Sequence, residues 1–503
     1  MPREYLRKIL KANVYDVACE TPLTLAAGLS RRLGTEVLLK REDLQPVFSF
    51  KIRGAHNRIS RLTAGEREHG VIAASAGNHA QGVALSAARS GIPATIVMPK
   101  TTPPIKVSAV RQHGAEVVLH GSSFDDALEH MHAIRQQSGC VFVPPFDDPD
   151  VIAGQGTVAM EILRQHARVD AIFVPVGGGG LIAGMAAYVK SLWPDIKVIG
   201  VEPQETPTLH AALAADERVV LESVGIFADG VAVRQIGVEP FRIARETVDE
   251  VLLVSTDEIC AAIKDMYEDT RAIAEPSGAL AVAGIKRYAA RNDLAGQTLV
   301  AVASGANVNF DRLRHIAERA DIGEQREGLL GVTIPERKGS FHAFCEAIGD
   351  RQITEFNYRY GDDHEAHVFV GVELRDGDAD KDGLIGHLRA LDYPVVDMTD
   401  NELAKLHIRH MVGGPARQVT NERLYRFEFP ERPGALLRFL SRMGARWNIS
   451  LFHYRNHGAA YGRVLVGMQV PDGEIEALRD FLDEIAYPYV AETDNNAYAL
   501  FLN

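Results

Sequence analysis

The chain is poor in cysteine, has no hydrophobic run of membrane length and carries no excess of positive charge. Its four cysteines, Cys19, Cys140, Cys260 and Cys345, are scattered over 503 residues, form no CxxC pair and have no histidine pair beside them. This excludes a disulfide scaffold, fits a reducing compartment and weighs against a zinc site. No stretch of about 18 uninterrupted apolar residues occurs, and the charged opening MPREYLRKIL lacks the apolar core of a signal peptide. The expectation is a cytoplasmic protein with no membrane partner. Lys and Arg number 54 against 67 Asp and Glu, a net charge of −13 with pI near 5.8. Nucleic acid is therefore not an expected partner, whereas a phosphate-bearing small molecule needs only local positive potential. The dinucleotide pattern GxGxxG and the Gly-Lys-Ser/Thr of nucleotide P-loops are also missing at the chain's glycine run.

The remaining composition is ordinary for a globular protein, with 46% hydrophobic and 24% charged residues. The length suffices for about two to four domains with substantial cores. From about residue 20 to 315, apolar strand candidates at 36–40, 70–75, 94–99, 116–120, 171–176, 197–203 and 298–304 alternate with helical patterns. Continuous apolar strands between amphipathic helices predict a parallel α/β sheet covered on both faces, with its chemistry in loops at the strands' carboxyl ends.

Four segments carry that chemistry. Gly177, Gly178, Gly179 and Gly180 join the apolar strand AIFVPV to the helical run LIAGMAAYVK, which begins at Leu181. Such a junction lets backbone N–H groups converge on an anion at a helix start, whereas a flexible linker would have polar flanks. Lys51, in FSFKIRGA, has aromatic and aliphatic neighbours. Desolvation there lowers an ammonium pKa, as a Schiff-base lysine requires. Ser75, Ala76, Gly77 and Asn78 follow a strand and open a small-residue-rich helix; a helix cap from Ser75 or Asn78 is expected, together with an Asn78 amide aimed at the ligand crevice. Ser304, in SGAN, ends the last strand of this half. A phosphate, an amine-reactive carbonyl and a ring must share one pocket, and pyridoxal phosphate meets all three demands.

Beyond about residue 327 the chain repeats itself. GVTIPERKGSFHAFCEAIG (331–349) aligns with RFEFPERPGALLRFLSRMG (426–444), ITEFNYRY (353–360) with ISLFHYRN (449–456), and VFVGVELRDG (368–377) with VLVGMQVPDG (464–473). Pro335/Pro430, Glu336/Glu431, Arg337/Arg432 and Gly339/Gly434 coincide. Each copy reads as strand, turn, helix, strand, hairpin, strand and charged helix, the βαββαβ order of ferredoxin-like units.

SFKIRGA, SAGNHAQG, GGGGL and SGAN, in this order and spacing, resemble the motifs of fold-type II (tryptophan synthase β-like) pyridoxal-phosphate enzymes over residues 1–320, as a catalytic domain of two α/β subdomains. The repeat at 328–400 and 423–494 resembles a tandem of ACT-like regulatory domains. Together they resemble the biosynthetic threonine ammonia-lyases over essentially the whole chain. The resemblance implies that Lys51 binds the cofactor and acts as base at Cα. It further implies that Asn78 meets the ring hydroxyl, the amides of Gly177 to Leu181 hold the phosphate and Ser304 faces the pyridine nitrogen. Ser75 to Gly77, with Asn78, would bind the amino-acid substrate. It also implies isoleucine and valine as effectors and a homotetramer. A serine dehydratase or racemase of the same fold is the catalytic alternative, though such relatives typically end with the catalytic domain; a non-catalytic amino-acid sensor is the other. Some relatives carry a cation near the segment matching 201–208, but beyond Glu202 this chain offers no second carboxylate at the matching spacing, so no metal is expected.

Overall fold

The computed structural model describes residues 2–361, 364–414, 416, 418–430, 435–444, 446–455 and 461–502. The chain divides into two compact units, Met1–Ala320 and Asp321–Asn503.

In the first unit the strands build two sheets where the spacing suggested one. The six-stranded sheet runs, in spatial order, Leu23–Leu25, Glu36–Arg41, Thr298–Ala303, Ala171–Pro175, Lys197–Pro203 and Glu250–Val254; all neighbours are parallel except the first pair. The parallel four-stranded sheet runs Glu116–Leu119, Ala94–Met98, Val71–Ala74 and Val141–Phe142. The strands Ala171–Pro175 and Thr298–Ala303 are buried at every residue, which explains why they read as unbroken apolar runs rather than alternating ones. Strands Leu23–Leu25 and Val141–Phe142 are too short to leave a periodic signal. The last helix of the unit begins at Arg312 and runs to Gly323, about three residues later at each end than the pattern NFDRLRHIAERA suggests.

The second unit has one eight-stranded antiparallel sheet in the order Val395–Asp397, Glu327–Pro335, Glu365–Glu373, Ile353–Arg359, Asn448–Arg455, Tyr461–Gln469, Glu422–Pro430 and Tyr489–Ala491. Each copy follows βαββαβ, with helices Ser340–Ile348 and Gly377–Ala390 in the first and Ala435–Met443 and Ile475–Ile485 in the second. The copies fuse edge to edge, Asn357 opposite His453 and Tyr358 opposite Phe452, so each covers an edge that the other would leave unpaired. Phe344, Phe356, Phe427, Phe439, Phe452 and Trp447 fill a shared core. The repeat positions Glu431, Arg432 and Gly434 lie outside the described residues. No described helix is long and apolar enough to cross a membrane.

Candidate active site

The glycine run connects the strand Ala171–Pro175 to the helix Gly180–Leu192. Gly179 has φ +87, a left-handed conformation that costs glycine little. Side chains are excluded on both sides: a Cβ on Gly178 would lie 2.2 Å from the Phe146 ring and one on Gly177 2.9 Å from Val231 Cα. No side chain caps the helix, and the amides of Gly178 to Leu181 find no acceptor among the described residues. Such a bare, positively polarised turn fits a phosphate group.

Lys51 opens the helix Lys51–Ser60, and the segment before it is stitched to the loop after Thr298–Ala303. Phe50 N donates to Ser304 O at 3.2 Å, Ala306 N to Phe48 O at 2.9 Å, and Ser49 pairs with Gly305. This stitching brings the lysine beside Ser304. Lys51 Nζ donates to Pro145 O at 2.9 Å and lies 5.3 Å from the Phe50 ring centre. Burial lowers its pKa to about 8, against the opposing pull of Glu275. His79 is held neutral, its pKa lowered to about 3 by burial and by Lys51, with Nε2 2.8 Å from Val143 O.

Asn78 starts the helix Asn78–Arg89, but the expected cap is absent. Gly77 occupies the N-cap with no capping side chain, and Ser75 Oγ accepts from Gly77 N at 3.3 Å. Asn78 is occupied across the cleft instead: Nδ2 donates to Glu275 Oε1 at 2.6 Å and Oδ1 accepts from Asn307 Nδ2 at 2.7 Å. Gly82 in this helix allows a close helix approach, since a Cβ on it would come within 3.2 Å of the backbone of Lys51 and Ile52.

Lys51, Asn78, Gly177 to Leu181 and Ser304 line one cavity of about 430 Å³. Ser75, Ala76 and Gly77 are not among its lining residues; they lead directly into Asn78. Ser304 is buried, with Oγ donating to Ser277 O at 3.3 Å. Glu275 lines the cavity too and was missed in the sequence, where an acid before proline reads as an ordinary helix start. Burial raises its pKa to about 7, opposed by the amide of Asn78. Because ionised Glu275 raises the pKa of Lys51, Glu275→Gln should lower it. Acylation of the cofactor-free Lys51 amine, followed against pH, should then show its midpoint move below about 8; an unchanged midpoint would separate the two groups.

Glu202 is fully buried and caps the helix Thr208–Ala215, accepting from Thr208 Oγ1 and Leu209 N, each at 2.7 Å, and from His210 N at 2.9 Å. Among the described residues no cluster of three or more His, Cys, Asp or Glu could hold a metal ion.

The second unit has its own cavity of about 250 Å³ between the two copies. Arg337, Gly339, Phe341 and His342 come from the first copy, and Leu440, Met443, Gly444, Trp447, Asn448 and Ile449 from the second. Asn448 Nδ2 donates to Glu336 Oε1 at 3.0 Å, bringing a carboxylate, a guanidinium and an apolar wall to one place.

The pattern described as "Pyridoxal-phosphate dependent enzyme" matches residues 14–305, and "C-terminal regulatory domain of Threonine dehydratase" matches 318–408 and 413–502. The biosynthetic L-threonine dehydratase of Burkholderia multivorans is 56% identical over 504 residues, covering 99% of both chains. The processed form of threonine deaminase isoform 2 from Solanum lycopersicum is 50% identical with a TM-score of 0.63, covering 64% of this chain and 88% of its own. A serine racemase from Dictyostelium discoideum is 33% identical with a TM-score of 0.57, covering 61% of this chain and 99% of its own.

Proposed function

The chain belongs to the biosynthetic threonine dehydratases, pyridoxal-phosphate enzymes with a duplicated regulatory part, and from that premise we infer how its own residues run the reaction. It converts L-threonine to 2-oxobutanoate and ammonia, the step that opens isoleucine synthesis. The racemase likeness covers 61% of this chain, whereas the dehydratase likeness covers 99% of it and so includes both regulatory copies. The observation that carries the reading is the meeting of Lys51, Asn78, Ser304 and the bare glycine turn in one cavity.

When bound, pyridoxal phosphate supplies a carbonyl that condenses with amines and a ring that draws electrons from the substrate's Cα. The amides of Gly177 to Leu181 would hold its phosphate, and Asn78 would offer its amide to the ring hydroxyl. Lys51 would anchor the cofactor and serve as the base for the Cα proton; a pKa near 8 leaves part of the amine neutral at physiological pH. Ser75 to Gly77 and Asn78 receive the substrate carboxylate at the uncapped helix start. Ser304 would offer the pyridine nitrogen a hydroxyl, too weak an acid to keep it protonated. The released enamine hydrolyses in water. Steady-state ammonia release from threonine, compared with serine, tests the assignment; faster release from serine would favour the serine dehydratase alternative.

The second unit responds to amino acids, and we assign isoleucine as inhibitor and valine as its antagonist in the cavity between the copies. Arg337 suits a carboxylate, and Phe341, Leu440 and Ile449 a branched side chain. Arg337→Ala should weaken isoleucine inhibition by roughly 10- to 100-fold, the cost of losing a charged hydrogen bond. Uninhibited activity should be unchanged. Trp447, one of only two tryptophans, reports binding by its fluorescence. Unaltered inhibition in Arg337→Ala would exclude this cavity. Scattered free cysteines fit a cytoplasmic enzyme, and sedimentation would test the homotetramer.

A further inference from the structure

Outside the cavity wall, one carboxylate ties the two sheets' parts together. Asp229 begins the short 3-10 turn Asp229–Val231, whose other residues, Gly230 and Val231, line the cavity. The turn is wedged there: a Cβ on Gly230 would lie 2.3 Å from Ser277 Oγ, and Val231 presses on Gly177. Lys106, on the helix Pro104–Gln112 between two strands of the four-stranded sheet, donates from Nζ to Asp229 Oδ2 at 2.8 Å. Arg312 holds the other oxygen, donating to Asp229 Oδ1 at 3.2 Å and to Phe227 O at 3.0 Å, which fixes the carboxylate's direction. Lys51 and Asn78 sit on helices that pack on the four-stranded sheet. The glycine loop, Glu275 and Ser304 belong to the six-stranded side. The cavity is therefore walled by both parts, and the Lys106–Asp229 pair bridges them.

We propose that Asp229 is a positioning residue for threonine dehydration: paired with Lys106 it holds the four-stranded part against the glycine-loop side, and so sets substrate affinity without touching substrate or cofactor. The inference rests on the site reading above, in which Lys51 and Ser75 to Asn78 on one part and the glycine loop with Ser304 on the other must close on threonine together. Both partners are partly exposed, at 26% and 38% of their side chains, so the pair is a weak latch that salt can loosen.

The test uses full-length holoenzyme. Asp229→Asn and Lys106→Met should each raise KM for threonine about two- to five-fold, the range of an exposed ion pair. kcat should stay within about two-fold and cofactor absorbance should not change. Raising sodium chloride to about 1 M should bring the wild-type KM up to that of the variants and leave the variants where they are. Unchanged KM values, or the same salt response in wild type and variants, would overturn the proposal. So would a fall in kcat accompanied by cofactor loss, which marks a merely structural role. Borohydride labelling of Lys51 in the same preparations keeps the premises apart, since an unlabelled Lys51 in wild type defeats the site reading itself.

Discussion

Lys51→Ala should lose threonine deamination by at least about 10² to 10⁴-fold, the range for removal of a proton-transfer group, because anchoring and base disappear together. The same substitution should not unfold the protein. Burial disfavours the charged amine of Lys51, which among the described residues keeps only the carbonyl of Pro145 as a hydrogen-bond partner. Removing the group therefore relieves a desolvation cost, and the variant's thermal transition should equal or exceed that of the wild-type apoenzyme. Activity and stability measured on one preparation separate a catalytic loss from a folding defect. Retained deamination would take Lys51 out of the mechanism.

Arg53→Met should have the opposite profile, a large loss of stability. Arg53 is fully buried two residues after Lys51 on the same helix. Its guanidinium meets Glu42 at 2.7 Å and Glu161 at 2.6 Å, and Lys40 Nζ reaches Glu161 at 2.6 Å, with all four side chains wholly enclosed. The charges balance, two against two. Burial opposes the charge on Arg53, yet Glu42 and Glu161 hold its pKa above the usual value. Burial likewise opposes the charge on Glu161, but Arg53 outweighs it and depresses the pKa. Removing Arg53 leaves buried carboxylates uncompensated, which costs about 3–5 kcal/mol in such clusters. A depressed carboxylate pKa adds stability that is present above the unfolded value and lost as pH falls through the folded one. The gap between wild type and Arg53→Met in urea unfolding should accordingly be full at neutral pH and narrow below about pH 4. A difference below about 1 kcal/mol at pH 7 would mean that the cluster relaxes around the change.

These two residues also mark what the sequence can and cannot disclose. Lys51 and the glycine run were legible because their meaning is local, an amine in an apolar stretch and a bare loop between strand and helix. Arg53 and Glu275 were not, because their partners are far along the chain: Glu161 and Glu42 for the one, Asn78 for the other. Strand pairing is long-range in the same way. Runs at 71–74 and 171–175 look alike, and nothing nearby assigns them to different sheets. The repeat gave two βαββαβ units, but their union into one sheet depends on which edges meet, Ile353–Arg359 with Asn448–Arg455.

The central claim is that Lys51 carries the cofactor of a threonine dehydratase, and borohydride reduction of the loaded enzyme followed by peptide mapping tests it most directly. The account predicts a stable phosphopyridoxyl label on the peptide containing Lys51, blocked when threonine is present in excess during reduction. A label on any other lysine, or none on an enzyme that still releases ammonia from threonine, would contradict it.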